Sequence, residues 1–424
     1  MNKKQKKYTN IIGLIYFILS VAFLFFILGI LSSYKNTFVY KWFYGSYLQL
    51  LNFSESNNTK FEEDFILTGK FDNLILLTQE NKDKVYLLNE DGIVHKWQLS
   101  NINNNFELNK NLKSKPYGAH LFENGDLIIS SDLSDSFNTT SEAFIAKLDK
   151  DSNLLWFKNY SVHHWFSVDK NNIYFSDREF IDYMDLKIQY TKNKANYFDC
   201  KDDTINNEPV RLENIVIADN NGKIIKKINL FEKIIEHPEL NDLVIDCIDP
   251  LHINDVRVIN KPIHLDNYIF NQGDILVSLR NINTVLIYDT IKDKIKWFTC
   301  CKFFMQHSPR ITPNDSFLVF DNLGGNYYSR ILEIDFNTSK INGAFFGKIN
   351  NFGSMEFFYT DSRGHLDVFE NNILVSSTNQ NIVFNLTCSE LNLSLNCSIN
   401  ELISTSSPVT SAKFFNKNNL NFLN

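Results

Sequence analysis

Short apolar runs alternate with polar turns along most of the chain. The repeated unit is a β-rich run, a turn of Asp, Asn, Gly or Ser, and a second β-rich run, which is the pattern of a β-hairpin. A second pattern, a polar turn followed by one apolar run, precedes every hairpin after the first. The hairpins are predicted at residues 85–99, 143–157, 215–230, 285–298, 331–345 and 382–397, and the single strands at 124–129, 171–175, 273–277, 315–319 and 371–375.

The six hairpins begin 46 to 72 residues apart. This spacing predicts an all-β chain that forms a six-bladed β-propeller with four-stranded blades. A closed ring of blades removes exposed sheet edges, which suits a long all-β chain. Residues 60–80 leave room for a seventh blade, and a pair of β-sandwiches is the alternative architecture. The intervals 176–213 and 231–247 are interpreted as insertions or lid loops.

The N-terminal segment has a different pattern. Residues 1–7 form a basic head, and residues 8–34 contain no charged side chain. The apolar run at 11–31 is long enough to cross a hydrocarbon core of about 30 Å as one helix. We therefore predict a transmembrane signal-anchor at 8–34, a juxtamembrane connector at 35–70 and the propeller at 71–424, with a cleaved secretory signal as the alternative. Lysines before the span favour a cytoplasmic N-terminus, so we expect a single-pass, membrane-anchored protein whose propeller is periplasmic or extracellular.

The composition narrows the range of functions. The chain has 424 residues, of which 44% are hydrophobic, so it can bury a large core. Its formal net charge is −7, and nucleic acid is therefore not expected as a partner. Outside the cytosol disulfides can form, and Cys388 and Cys397 flank a predicted turn that they could bridge. A second bridge, between Cys247 and Cys301, would brace the loops that precede two histidines, and free buried thiols or other pairings of these cysteines are the alternatives.

Histidines precede the predicted strands at similar positions in successive units. They are His120, His163, His164, His252, His307 and His365. Inner strands of a propeller begin near its central axis, so these residues can converge on one pocket. Imidazoles together with Asn254 and Arg280 would suit an anionic group, because Arg presents a rigid fork of donors to oxyanions. A metal site built from the histidines is the competing interpretation, and His120 and His365 are expected to be structural.

Four segments resemble the arylsulfotransferase family of bacteria. They are Asp-Pro-Leu-His-Ile-Asn-Asp-Val at 249–256, Gly-Asp-Ile-Leu-Val-Ser-Leu-Arg-Asn-Ile-Asn-Thr-Val at 273–285, Gln-His-Ser-Pro-Arg-Ile-Thr-Pro-Asn-Asp at 306–315 and Phe-Asp-Asn at 320–322. The similarity covers roughly residues 110–380. It implies an exported six-bladed propeller that moves a sulfuryl group from a phenolic sulfate ester to a phenol. It also implies that no nucleotide sulfate donor is needed, and we expect no cofactor and no metal.

The resemblance implies catalytic roles for four residues. His307 matches the family's catalytic histidine, which carries the sulfuryl group as a sulfohistidine. His252 matches a histidine that holds sulfuryl oxygens, and Arg280 matches the arginine that stabilises their charge. His164 matches the remaining catalytic histidine, although Trp165 follows it where the family usually has an acidic residue.

Three further residues are assigned to substrate binding. Asn254 completes the His-x-Asn pair that holds sulfuryl oxygens. His163 is the alternative to its neighbour as the histidine that faces the site, and Arg310 is assigned either to the pocket or to the loop around it. Asp321 and Asn322 are interpreted as turn residues.

The resemblance therefore implies an aryl-sulfate sulfotransferase that works by a ping-pong mechanism, with a phenolic sulfate donor and a phenol acceptor as its partners. Two other classes remain open. One is a non-catalytic propeller that binds a ligand or scaffolds a partner. The other is a different propeller enzyme, such as a metal-dependent lyase or a quinone-cofactor dehydrogenase.

Overall fold

The structure is a computed structural model, and it describes most of the chain from Lys60 to Leu423. The gaps are residues 62–63, 68, 101, 103–115, 132–142, 192–208, 245, 325–327, 350–354, 392 and 394–396, and of residues 1–59 only Ser20 and Phe23 are described. The chain divides into two compact units, Met1–Thr59 and Lys60–Asn424. The predicted signal-anchor therefore lies outside the described residues except at two positions. No helix in the described part has the length and apolar character needed to span a membrane.

The second unit is a ring of six antiparallel β-sheets, which confirms the predicted all-β, six-bladed propeller. Blade 1 comprises Leu74–Gln79, Lys84–Asn89, Gly92–Gln98 and Val409–Phe415. Blade 2 comprises Pro116–Leu121, Leu127–Ser131, Phe144–Leu148 and Leu154–Lys158. Blade 3 comprises Val162–Val168, Asn172–Ile181, Val210–Asp219 and Ile224–Ile228.

The other three blades continue in chain order. Blade 4 comprises Ile253–Val258, Ile275–Leu279, Thr284–Asp289 and Lys294–Cys300. Blade 5 comprises His307–Ile311, Ser316–Asp321, Arg330–Asp335 and Ile341–Phe345. Blade 6 comprises His365–Phe369, Asn372–Ser377, Ile382–Thr387 and Ser398–Thr405, and Lys60–Phe61 and Phe65–Leu67 extend it at its outer edge.

The ring closes because a strand from the C-terminal end of the unit joins the first blade and a strand from its N-terminal end joins the last. The strand Val409–Phe415 pairs with Leu74–Gln79 and so supplies the inner strand of blade 1. The strand Phe65–Leu67 pairs with Ser398–Thr405 of blade 6. Residues 60–80 are therefore shared between the first and last blades and do not form a seventh blade.

The shorter elements lie between the strands of the blades. The α-helices are Tyr183–Thr191 and Leu230–Ile235, and the 3-10 helices are Asn241–Leu243, Ser389–Leu391, Lys417–Asn419 and Asn421–Leu423. Two additional hairpins are Ile263–His264 with Ile269–Phe270, and Gly347–Ile349 with Met355–Phe357. The predicted insertion at 176–213 is too wide, because Asn172–Ile181 and Val210–Asp219 pair along their full length.

Apolar side chains fill the spaces between neighbouring blades. Strands such as Leu74–Gln79 and Ile275–Leu279 are buried at every position, which explains why their sequences lack clear alternation. Tryptophans in the outer strands also link adjacent blades. The indole N–H of Trp97 donates to the Gly125 carbonyl, and that of Trp297 donates to the Phe336 carbonyl. Each link gives a buried polar atom the hydrogen bond that it needs.

Of the two disulfide bridges considered from the sequence, the structure contains one. Cys388 and Cys397 form a disulfide, as predicted. The strand that pairs with Ile382–Thr387 is Ser398–Thr405, so it begins beyond the predicted hairpin at 382–397, of which residues 392 and 394–396 lie outside the described residues. The bridge between Cys247 and Cys301, one of the options that the sequence left open, is not formed, because Cys247 is disulfide-bonded whereas Cys301 is a free thiol.

Candidate active site

The inner strands of five blades begin with a β-bulge, and the predicted site histidines lie at three of these bulges. The pairing register shifts after Pro116, His163, Ile253, His307 and Val409. Bulges of this kind re-aim side chains and are common next to active sites. Two residues next to these bulges have a left-handed backbone conformation: φ is 59° at His164 and 52° at His252. A residue other than glycine holds this conformation at a cost, which favours a functional reason for it.

Three histidines from two blades form a compact buried group. The ring centroids of His163 and His164 are 3.8 Å apart, and those of His163 and His252 are 4.6 Å apart. The Nε2 atoms of His164 and His252 are separated by 3.3 Å. Both members of the His163–His164 pair therefore face the site, and the choice between them that the sequence left open does not arise.

His307 lies against this group and has a fixed orientation. Its ring centroid is 5.7 Å from that of His164. Its Nδ1 is 2.7 Å from Asn322 Oδ1, and the Asn322 amide N–H groups donate to the carbonyls of Thr360 and Arg363, each at 2.8 Å. Asn322 Oδ1 is thus an acceptor, so His307 Nδ1 must carry the proton. The lone pair of the ring is then on Nε2.

A carboxylate fixes His252 in the same way. Asp249 Oδ2 is 2.5 Å from His252 Nδ1, and the Asp249 carbonyl accepts from the side chain of Asn281 at 2.5 Å. Burial acts to raise the pKa of Asp249, but His252 and nearby arginines lower it to about 2. Asp249 is therefore ionised at neutral pH and accepts the Nδ1 proton of His252.

Glu213 holds the third histidine and the next blade together. Its side chain contacts His163 Nδ1 at 2.5 Å and Arg178 Nε at 3.3 Å, and it also accepts from the backbone N–H of Ile253. Burial raises the pKa of Glu213 to about 8, against the opposing charge of Arg178. Glu213 and His163 therefore share one proton at neutral pH.

Arg280 supplies positive charge beside the histidines. Its backbone N–H donates to the His252 carbonyl at 3.0 Å, and its Nε donates to Asn281 Oδ1 at 3.0 Å. In the described part of the chain its two terminal nitrogens have no protein partner. Burial lowers the pKa of Arg280, and Asp249 and Glu213 oppose that change. Its free N–H groups are available to an anionic ligand.

The imidazoles are neutral at physiological pH. Burial lowers the pKa of His307 to about 3; Asn322 opposes this shift, and Arg280 and His252 reinforce it. Burial lowers the pKa of His252 to about 4, although Asp249 acts in the other direction. Burial holds the pKa of His163 and of His164 well below the usual value. The group therefore presents nitrogen lone pairs next to one guanidinium.

Two predicted substrate-binding residues have other contacts. The Asn254 side chain donates to the Gln306 carbonyl at 2.6 Å, so it braces the residue before His307. Arg310 donates to Asp255 Oδ2 at 2.8 Å, and its second terminal nitrogen is 2.9 Å from His365 Nε2. The structure thus places Arg310 in a separate buried polar cluster.

Several residues that build the site were missed at the level of sequence. Asn322 was interpreted as a turn residue, although it lies in a segment that carries the family resemblance. Asp249 precedes His252 by three residues in another such segment and could have been proposed as its partner. Glu213 and Arg178 lie within the interval interpreted as an insertion, where no signal in the sequence marks them.

Several solved structures are similar to this chain at low sequence identity. A crystal structure of a Bacteroides caccae protein of unknown function is similar over 81% of this chain and 98% of that one, at 9% identity and a TM-score of 0.44. A Lactobacillus plantarum protein is similar over 81% and 100%, at 11% identity and a TM-score of 0.42. Virginiamycin B lyase from Staphylococcus aureus is similar over 68% and 83%, at 13% identity and a TM-score of 0.34. Similarity at this level says nothing about activity.

No match was found among curated proteins. The model of the arylsulfotransferase (ASST) family, in contrast, matches residues 124–390, which is more than half of the chain. This range includes His163, His164, His252, Arg280 and His307. The chain belongs to the arylsulfotransferase family.

Proposed function

We propose that this protein is an aryl-sulfate sulfotransferase that transfers a sulfuryl group from a phenolic sulfate ester to a phenol through a covalent intermediate on His307. The observation that carries the proposal is the hydrogen bond from His307 Nδ1 to Asn322 Oδ1 at 2.7 Å. It fixes the tautomer in which Nε2 is unprotonated. A buried, neutral imidazole with an oriented lone pair is a nucleophile at neutral pH.

In the first half-reaction His307 Nε2 attacks the sulfur of the donor. An N–S bond forms and the S–O bond to the aryl group breaks, so the donor leaves as a phenolate and takes up a proton. Positive charge develops on the imidazole, and the Nδ1–H bond to Asn322 becomes charge-assisted. The free N–H groups of Arg280 oppose the negative charge on the sulfuryl oxygens, which is where such charge grows in the transition state.

In the second half-reaction a phenol displaces the histidine. The phenol oxygen forms a bond to sulfur, the N–S bond breaks, and His307 is regenerated. The acceptor proton passes to His252, whose Nε2 carries the lone pair because its Nδ1–H is held by Asp249 at 2.5 Å. His252 releases this proton to solvent, and solvent supplies the proton that the first phenolate takes up, so the exchange is balanced over one cycle.

The remaining residues of the site hold the catalytic histidines in place and do not touch the reacting atoms. Asn254 holds the Gln306 carbonyl at 2.6 Å and thereby fixes the chain just before His307. Glu213 contacts both His163 and the backbone N–H of Ile253, so it joins the two inner strands that carry the other histidines.

We further propose that residues 8–34 anchor the protein in a membrane and that the propeller acts outside the cytoplasm, on the evidence of the apolar N-terminal run.

The test is turnover of a chromogenic phenyl sulfate with a phenol acceptor. We expect the unsubstituted protein to release the coloured phenol and to sulfate the acceptor, and His307→Ala to do neither. His264→Gln, at an exposed position in a hairpin of blade 4, is the control that should retain full turnover. An unsubstituted protein that folds but releases no phenol with any acceptor would refute the proposal and favour a non-catalytic propeller.

A further inference from the structure

Three imidazoles of the site have the spacing of ligands to a metal ion. His163, His164 and His252 each offer one nitrogen, and these nitrogens lie within 4.8 Å of one another. Zinc binds imidazole nitrogen at about 2.0–2.1 Å with tetrahedral angles, which puts two ligand nitrogens roughly 3.4 Å apart. The Nε2 atoms of His164 and His252 are 3.3 Å apart. One pair is therefore already at ligand spacing, and the third nitrogen lies within 4.8 Å of both.

The surroundings of two of the three rings also match a metal site. Histidines that bind metals usually donate their other ring N–H to a carboxylate, which fixes the tautomer and makes the ligating nitrogen more basic. His252 Nδ1 contacts Asp249 and His163 Nδ1 contacts Glu213, each at 2.5 Å. Nε2 is then the available nitrogen of His252, and it is also the available nitrogen of His163 when the proton shared with Glu213 lies on Nδ1. The buried Nδ1 of His164 has no hydrogen-bond partner in the described structure.

The affinity for a cation has to come from the nitrogen ligands. Two guanidiniums, Arg178 and Arg280, and two carboxyl groups, Asp249 and Glu213, surround the rings. Because Glu213 shares a proton with His163, the positive charges outnumber the negative ones and the fixed charges do not attract a metal ion. Binding is then decided by the nitrogen ligands, and neutral buried imidazoles suit zinc and related transition metals.

We propose that His163, His164 and His252 bind one divalent transition-metal ion, such as Zn²⁺, with an open fourth position, and that the bound ion blocks the enzyme. The inhibition, but not the binding, rests on the proposed function. A bound ion takes the lone pair of His252 that the second half-reaction uses as a base. It also occupies the space between His252 and His164 that a sulfuryl group must approach.

Zinc binding is tested on the full chain after treatment with a chelator. Isothermal titration calorimetry with Zn²⁺ should give one site per chain for the unsubstituted protein and for His264→Gln. His163→Ala should lose that site. Glu213→Gln keeps all three ligands and removes only the carboxylate behind His163, so its affinity should fall about 10- to 100-fold. Binding that is not stoichiometric, or that His163→Ala leaves unchanged, would overturn the proposal.

Two further measurements keep the test decisive. X-ray absorption of the zinc-loaded, unsubstituted protein should show three imidazole ligands even if a variant fails to fold, and fewer than three would contradict the assignment. Turnover of a phenyl sulfate should fall when one equivalent of Zn²⁺ is added and return when EDTA is added. Zinc that binds without lowering turnover would refute the inhibition. A protein that is inactive in EDTA but binds zinc stoichiometrically would refute the proposed function and leave the metal site standing.

Discussion

Replacing Asn322 by alanine tests how the nucleophile is held. The variant loses the Oδ1 atom that lies 2.7 Å from His307 Nδ1. In the first half-reaction this hydrogen bond becomes charged, and hydrogen bonds to charged groups contribute about 1.5–3 kcal/mol. That range corresponds to a loss of about 10- to 150-fold in kcat/KM for the donor. The Met305 carbonyl, 3.0 Å from the same nitrogen, can keep part of the tautomer preference, so we expect the lower half of the range.

The variant also loses structural contacts, which requires a matched control. The Asn322 amide N–H groups satisfy the carbonyls of Thr360 and Arg363, and removing them leaves both acceptors without this donor. Ser329→Ala weakens the same loop, because its hydroxyl donates to the carbonyls of Asn322 and Thr360, but Ser329 has no contact with His307.

The assay compares steady-state kcat/KM for a chromogenic phenyl sulfate and thermal unfolding of the two variants. We expect both to unfold at lower temperature and Asn322→Ala alone to lose donor turnover. Equal turnover in the folded variants, or Asn322→Ala within twofold of the unsubstituted protein, would refute the reasoning about His307.

Three other predictions follow from the same contacts. Arg280→Lys keeps the charge but loses the fork of donors, so kcat/KM for the donor should fall about 10- to 100-fold with little change in thermal unfolding; an unchanged KM and kcat would argue against contact with the sulfuryl group. Burial lowers the pKa of His307 to about 3 and that of His252 to about 4 in the folded protein. As the pH falls below about 6.5, these two histidines therefore bind protons in the unfolded chain before they do so in the folded protein. The free energy of unfolding should therefore decrease from pH 6.5 towards 4 by about 1.4 kcal/mol per pH unit for each of these residues, and a flat profile in denaturant titrations would contradict their burial as neutral rings. Replacing Cys388 and Cys397 together by alanine should lower the free energy of unfolding by about 2–3 kcal/mol, and no change in urea titrations would contradict a disulfide there.

The fold was predictable because each blade repeats the same short-range signals. Apolar runs and polar turns place the hairpins at 85–99 and 285–298 correctly, and the spacing between hairpins gives the number of blades. Closure was not predictable in this way. Val409–Phe415 and Leu74–Gln79 pair across more than 300 residues, and no local pattern marks such partners.

The candidate site was predictable where chemistry is carried by single residues in short motifs. The structure brings His163, His164, His252 and His307 together, and it places Arg280 beside them. The residues that orient these groups were harder to predict. Glu213 is far from any motif, and its role depends on pairing between Asn172–Ile181 and Val210–Asp219 that brings it beside His163.

The cysteine pairing shows the same limit. Cys388 and Cys397 are close in sequence and flank a turn, so proximity alone predicts their bridge. A bridge from Cys247 to Cys301, one of the options left open, would have required two loops near the site to meet through their thiols. Cys301 instead remains free and exposed, with its Sγ atom 2.8 Å from that of Cys300.

The central claim is that His307 Nε2 accepts the sulfuryl group, and the most direct measurement is the detection of the covalent intermediate. The full chain is mixed with a phenolic sulfate in the absence of acceptor, quenched, digested and analysed by peptide mass spectrometry. We predict the mass of one added sulfuryl group on the peptide that contains His307, its loss when a phenol is added before quenching, and no addition in His307→Ala. An active protein in which another residue carries the group, or in which none does, would contradict this account.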